Sequence, residues 1–288
     1  MDAIAAIAPE RAVSHLDRPL SSLDLWLSHF RTAPIPILDA TATAIEELVD
    51  HEDAVDAHLL SELMGNDPLM TLSLLSHVGL NTRRATDVET VVGALVLMGI
   101  SPFFRHFATL HTVSDVLPPT AEHADARRGL DAVLRRSYRS ARFALAFAAH
   151  RLDPDAAVIH EAALLHDFTE LLLWCHAPAL ALEIAGRQQA DPTLRSAAAQ
   201  RAVLGIELAD LQLALMKAWR LPELLVRLGD DRHAAQIQVR NVLLAVRVAR
   251  HSANGWDNPA LPDDIADIGA LLQLGPAPTL ALLRDIDD

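Results

Sequence analysis

The sequence predicts an all-α fold, a helical bundle, and three observations predict it. Leu and Ala dominate the 288 residues while aromatics make up only 4%. That mixture favours helix packed on helix over sandwiches and barrels, which want β-branched and aromatic residues. Strand-like alternation is absent throughout, and apolar residues recur at helical spacing instead. Helix start and stop signals, chiefly Asp-Pro pairs and isolated glycines, divide the chain into segments.

Residues 1–24 read as a weakly patterned N-terminal arm, at whose end Leu23, Leu25, Trp26, Leu27 and Phe30 suggest a short helix. Pro34 and Pro36 force an extended entry, after which Asp39 to Val49 can start a helix. Leu59, Leu60, Leu63 and Met64 form an apolar face that ends at Gly65-Asn66. Asp67-Pro68 then reads as N-cap plus first-turn proline, followed by Leu69, Leu72, Leu75 and Val78 at helical spacing. Thr86 or Asp87 begins the next helix, which Gly99 closes, and Ser101-Pro102 restarts the pattern through Phe107 to Val113. Pro118-Pro119 and the polar stretch to Asp125 mark an internal boundary, dividing a main domain over 25–255 into sub-lobes of about 25–117 and 125–255.

The second half begins with one long helix, Arg127 to His150. Asp153-Pro154 is expected to cap the next, running unbroken to about Cys175. Ala179–Gln189, Thr193–Val203, Ile206–Trp219, Pro222–Leu228 and Gln236–His251 follow. Residues 256–288 form a C-terminal appendage of two helices, near Asp263–Leu272 and Ala277–Arg284.

Composition narrows the function. Thirty-eight acidic against 24 basic residues give a net charge of −14, which argues against nucleic-acid binding, since a duplex binder usually carries a basic face. No run of about 18 apolar residues suggests a membrane span. The segment from Met1 to Arg11 lacks the basic start and apolar core of a signal peptide. A single cysteine, Cys175, forms no intramolecular disulfide and suits a reducing cytoplasm. It reads as a small core hydrophobe.

An ordered series of motifs spans roughly residues 30–255. It runs from Pro34-Ile35-Pro36 and Asn66-Asp67-Pro68-Leu69 to Ala94-Leu95-Val96-Leu97-Met98-Gly99. It continues with Glu161-Ala162-Ala163-Leu164-Leu165-His166-Asp167, then Gly205, Trp219, Leu221-Pro222-Glu223 and His233. This series resembles the HD-related output domain (HDOD) family, a branch of the HD superfamily. The resemblance implies a bacterial, cytoplasmic signalling module that acts through a protein partner or as a homodimer. Such modules often stand beside cyclic-dinucleotide turnover or phosphorelay components. No cofactor is implied.

The departures from the superfamily are informative. Its catalytic members bind a divalent metal through a first His, a His-Asp pair and a late Asp, and the metal activates water. Here Arg136 matches the first His and Arg250 the late Asp, leaving His166 and Asp167. Guanidiniums cannot ligate a cation and repel it. The expectation is therefore a silent metal site, with Arg136 or Arg250 bonded to the Asp167 carboxylate where the metal stood. His166, Asp167, Arg136, Arg250 and His233 make up the expected binding pocket. The rival is a metal-dependent phosphohydrolase for a nucleotide or cyclic dinucleotide, with His160 or His233 recruited as a further ligand. Val78-Gly79-Leu80 also replaces an Asn-Ser pair of the family's first lobe.

Other signals are weaker. His160-Glu161 with His166 misses the zincin spacing, which needs two His at i and i+4. His166 and Glu170 do stand at i, i+4 and are expected to share a face. Arg128, Arg135, Arg139 and Arg142 follow 7-4-3 spacing along one stripe, either a docking site for an acidic or phosphate-bearing partner or a face neutralised by the chain's own acids.

Overall fold

A computed structural model describes residues 14–82, 88–107 and 110–287, and helices supply nearly all of their regular structure. The first half of the chain forms α1 (Leu23–Thr32), α2 (Asp39–Val49), α3 (Ala57–Met64), α4 (Pro68–Asn81), α5 (Val91–Met98), α6 (Ile100–Phe107) and the short α7 (Val113–Val116). The expected helix start at Thr86 or Asp87 lies outside the described residues. The sole β-pairing among them is an isolated parallel bridge between Ile37 and Thr112.

Asp67 shows how local sequence locks these helices. Its Oδ1 accepts hydrogen bonds from the Leu69 and Met70 N–H groups, at 3.0 and 2.9 Å, satisfying the orphan donors at the start of α4. Its Oδ2 accepts from the N–H of Leu38, at 2.9 Å, so the same buried carboxylate joins the entries of α2 and α4. Gly99 ends α5 at φ +85°, a backbone conformation that favours glycine. Trp26 and Phe30 of α1 are buried, and the Trp26 indole N–H donates to the carbonyl of Leu204, tying α1 to the second half of the chain.

The second half is built on α8 (Ala124–His150), with α9 (Ala156–Leu164), α10 (Phe168–His176), α11 (Pro178–Ala190), α12 (Ser196–Leu204), α13 (Leu208–Ala218), α14 (Glu223–Leu228) and α15 (Ile237–His251). Packing of α8, α9 and α15 on one another forms its centre, with Phe143, Phe147, Ile159, Val242 and Val248 buried there. The closing helices α16 (Leu261–Leu272) and α17 (Pro276–Asp287) pack on α15 and α8. Asp264 of α16 is fully buried, and Arg247 (2.6 Å) and His251 (2.5 Å) of α15 bind its carboxylate. No single helix among the described residues is long and apolar enough to cross a membrane.

One expected element is corrected. The segment from Asp153 to Cys175 is two helices, α9 and α10, separated by a turn at Leu165, His166 and Asp167. Here the Phe168 N–H reaches back only to the Leu165 carbonyl, at 3.2 Å. His and Asp are weak helix-interior residues, and both side chains are drawn to charged partners outside the segment. The break decides what faces the site.

Candidate functional site

The turn between α9 and α10 thrusts His166 and Asp167 toward α8, α15 and the 3-10 turn Asp231–His233. The Asp167 side chain does not cap α10; it is taken by Arg136 of α8, whose Nε donates to Oδ2 at 2.6 Å. The other prong of the same guanidinium, Nη2, donates to Oε2 of Glu170 at 2.6 Å. Arg250 of α15 approaches from the opposite side, with Nη2 3.6 Å from Asp167 Oδ1. His166 lies between two carboxylates, its Nδ1 3.1 Å from Asp167 Oδ1 and its Nε2 3.1 Å from Asp231 Oδ1. Arg136 and Asp167 keep only 15% and 11% of their side-chain surface exposed, so the pair is shielded from solvent screening.

The electrostatics follow from that geometry. Burial pushes the Asp167 carboxyl up, but Arg136, the His166 hydrogen bond and Arg250 together hold it well below the usual carboxylate range. Burial pulls His166 down, yet its hydrogen bonds to Asp167 and Asp231 lift it to about 9, so it is an imidazolium at neutral pH. Burial also lowers Arg136, and the charges of Asp167 and Glu170 more than reverse this. The expected arginine–Asp167 bond is present, and Arg136 makes it.

Two expectations change. His233 does not join the cluster: its ring is half exposed and faces Asp230 at 3.6 Å. His166 and Glu170 do not share a face, because the turn at 165–167 separates them and Glu170 goes to Arg136. Of the two readings of the α8 arginines, neutralisation by the chain's own acids is seen at Arg139 and Arg128. Arg139 is clamped by both oxygens of Asp287 in α17, at 2.6 and 2.7 Å, and Arg128 pairs with Asp125. Arg142 lies over the Tyr138 ring, and Arg135 is exposed.

The cluster forms one end of a cavity of about 780 Å³, within the usual range for small-molecule sites. Beyond Arg136, His166, Asp167, Arg232 and Arg250, its lining runs along α10, α11, α12 and α13. Apolar Leu173, Ile184, Leu208 and Leu213 alternate there with Gln188, Gln200 and Gln212. Gly129 of α8 makes room for this wall: a Cβ on it would stand 2.3 Å from Cη2 of Trp174, which lines the cavity. Sequence reasoning paired Glu170 with the wrong residue and missed Asp231, Gln212 and Trp174 because nothing local marks them; only the packing of α10 on α8 and α13, and the turn at Asp231–His233, gathers them. Cys175, by contrast, is core as expected, its thiol pushed up to about 12 by burial.

A divalent ion at this site needs several converging ligands. Among the described residues, no group of three or more His, Cys, Asp or Glu side chains is placed to hold one. The carboxylate of Asp167 is instead engaged by Arg136.

Comparison with known proteins agrees with this architecture. The family model for the HDOD domain matches residues 35–235. The MmoQ response regulator from Methylococcus capsulatus superposes with a TM-score of 0.64 at 23% identity, over 88% of this chain and 98% of that one. A virulence factor from Campylobacter jejuni gives 0.62 at 17% identity, over 92% and 96%. At these identities the likeness is one of fold. Among curated proteins, none matches the chain.

Proposed function

The chain belongs to the HDOD family, and from that premise we propose that it is a non-catalytic signal-transduction module that works by binding, with the cavity beside Asp167 as its recognition site. One observation carries this reading: Arg136 occupies Asp167 with a charge-assisted hydrogen bond at 2.6 Å. A fixed guanidinium supplies the counter-charge that a metal would otherwise supply, but it offers no open coordination position and generates no hydroxide. Arg250 adds a second positive charge against any incoming cation. A similar fold serves a protein described as a response regulator, which supports a place in signalling; the partner would be a protein of such a pathway.

The test is metal analysis of the purified chain, followed by turnover of a generic phosphodiester with added Mn²⁺. The module reading expects no stoichiometric metal and no turnover. Bound metal together with activity that Asp167→Ala abolishes would make the chain a phosphohydrolase instead.

A further inference from the structure

Every residue of α5 is Val, Gly, Ala, Leu or Met, so this helix has no polar side chain on any side. A helix that is apolar all round belongs inside a core, with neighbours on every side. α5 packs on α3 and α4 and buries Val91, Ala94 and Leu95. Its other side, with Val92, Val96 and Leu97, is exposed, and Val96 keeps 70% of its surface in solvent. Leu59 of α3 and Leu80 of α4 are exposed as well. Among the described residues, five of the twelve exposed large apolar side chains thus belong to three helices that pack on one another. Single exposed apolar residues are ordinary, whereas a cluster marks an interface. The face is also held in shape, since the Val91 N–H donates to buried Glu161 at 2.7 Å and Gly99 closes the helix.

The charges at the two ends of α5 say what covers it. Glu89, one residue ahead of the Thr90 cap, is exposed at the N-terminal end. Arg105 of α6 is exposed at the C-terminal end, where it lines a cleft with Leu97 and Met98. Between these two residues α5 itself carries no charge. An apolar strip with one negative and one positive end is complementary to itself turned end for end. That apposition brings Glu89 of each chain to Arg105 of the other. The helix is only about 12 Å long, so both pairs can close over one contact. A partner surface of uniform charge would instead set like charges together at one end.

We infer that the exposed side of α5 is a homodimer interface, in which two copies of the chain pack α5 antiparallel on α5 about a two-fold axis. Val92, Val96 and Leu97 of each copy form its centre, and reciprocal Glu89–Arg105 pairs form its rim. The centre leaves no charge buried without a partner. The rim pairs fix the direction of packing more than they add affinity. This surface belongs to the first half of the chain and does not depend on the cavity beside Asp167, whose lining comes from the second half.

Sedimentation equilibrium of the full chain from about 5 to 500 µM tests this, in about 0.15 M salt to screen the repulsion between two chains of net charge −14. The apparent mass is expected to rise toward that of two chains, with a Kd on the order of 1–100 µM, as suits a small interface. Val96→Glu should keep the chain monomeric at every concentration and leave its helical circular dichroism unchanged, because the position is exposed. Arg105→Glu and Glu89→Arg should each weaken association by about tenfold or more, and the double variant should restore it. Should Val96→Glu fail to fold, this charge-swap series carries the test alone. The inference is overturned if the native chain stays monomeric throughout, if folded Val96→Glu associates as tightly as the native chain, or if the double variant associates no better than the single ones.

Discussion

Nε of Arg136 lies 2.6 Å from Oδ2 of Asp167, and this contact joins positions 31 residues apart across α8 and the α9–α10 turn. Because the same guanidinium also binds Glu170, one side chain compensates two carboxylates.

Removing that side chain leaves both carboxylates without it in a largely buried setting. Arg136→Met is expected to cost about 3–5 kcal/mol, the usual consequence of breaking one half of a buried pair. Adding Asp167→Asn should recover part of the loss. Urea unfolding of the two single variants and the double variant measures the coupling; strictly additive losses would mean that the pair contributes nothing specific.

If arginine stands where metal ligands stand in catalytic relatives, restoring the ligand types should restore affinity for metal. Arg136→His with Arg250→Asp is expected to bind Mn²⁺ and to gain several degrees of melting temperature in its presence, while the native chain does not respond. A double variant that stays metal-free by elemental analysis would argue against this equivalence of positions.

The His166 clamp makes stability depend on alkaline pH. Its folded pKa, about 9, is raised above the ordinary 6.5, so its contribution is fully present below pH 6.5 and is lost as pH rises through about 9. Asp167 acts with the opposite sign: its depressed pKa gives stability above the ordinary carboxylate range that is lost on acidification. Unfolding of His166→Asn followed from pH 6 to 10 should lack the alkaline fall seen in the native chain. Parallel curves for the two proteins would refute the clamp.

Glu161 is a buried carboxyl with the reverse problem. Its Oε1 accepts from the Val91 N–H at 2.7 Å, its Oε2 has no partner among the described residues, and burial pushes the group up to about 8. The folded state therefore favours the protonated form, and a penalty builds as pH rises from about 4.5 to 8. Glu161→Gln should match the native chain near pH 4.5 and exceed it at pH 8 by an amount on the order of a few kcal/mol. A difference that does not change with pH would contradict this.

Gly129 is required by sterics rather than by backbone freedom. An added Cβ would lie 2.3 to 2.6 Å from three carbons of the Trp174 ring. Gly129→Ala should cost about 1–3 kcal/mol and shift tryptophan emission as the indole is displaced. Native stability in this variant would mean that the wall of the cavity yields easily.

Much of the fold could be read from particular residues. Asp67-Pro68 caps α4 as expected, Gly99 ends α5, and the helices near 263–272 and 277–284 are present as α16 and α17. Caps and helical periodicity are set by neighbours within a turn or so, which makes them legible. The break at His166 escaped this reading because its flanks are strong helix formers and the partners that stabilise it, Arg136 and Asp231, come from elsewhere. His233 shows the converse, a residue placed in the pocket by its motif but turned toward Asp230 by its own short turn.

The sequence alone determined that the chain is helical, that arginines stand at two positions where metal ligands are expected, and that the thiol of Cys175 is buried. Only the tertiary structure decided that Arg136 rather than Arg250 grips Asp167, that Glu170 and Asp231 join the cluster, that Asp287 covers Arg139, and that Gln212 lines a cavity. The physical reason is range. Helix formation is decided by hydrogen bonds a few residues along the chain, whereas an ion pair falls off over ångströms and has many candidate partners among 62 charged side chains, so only the packing of the helices selects one.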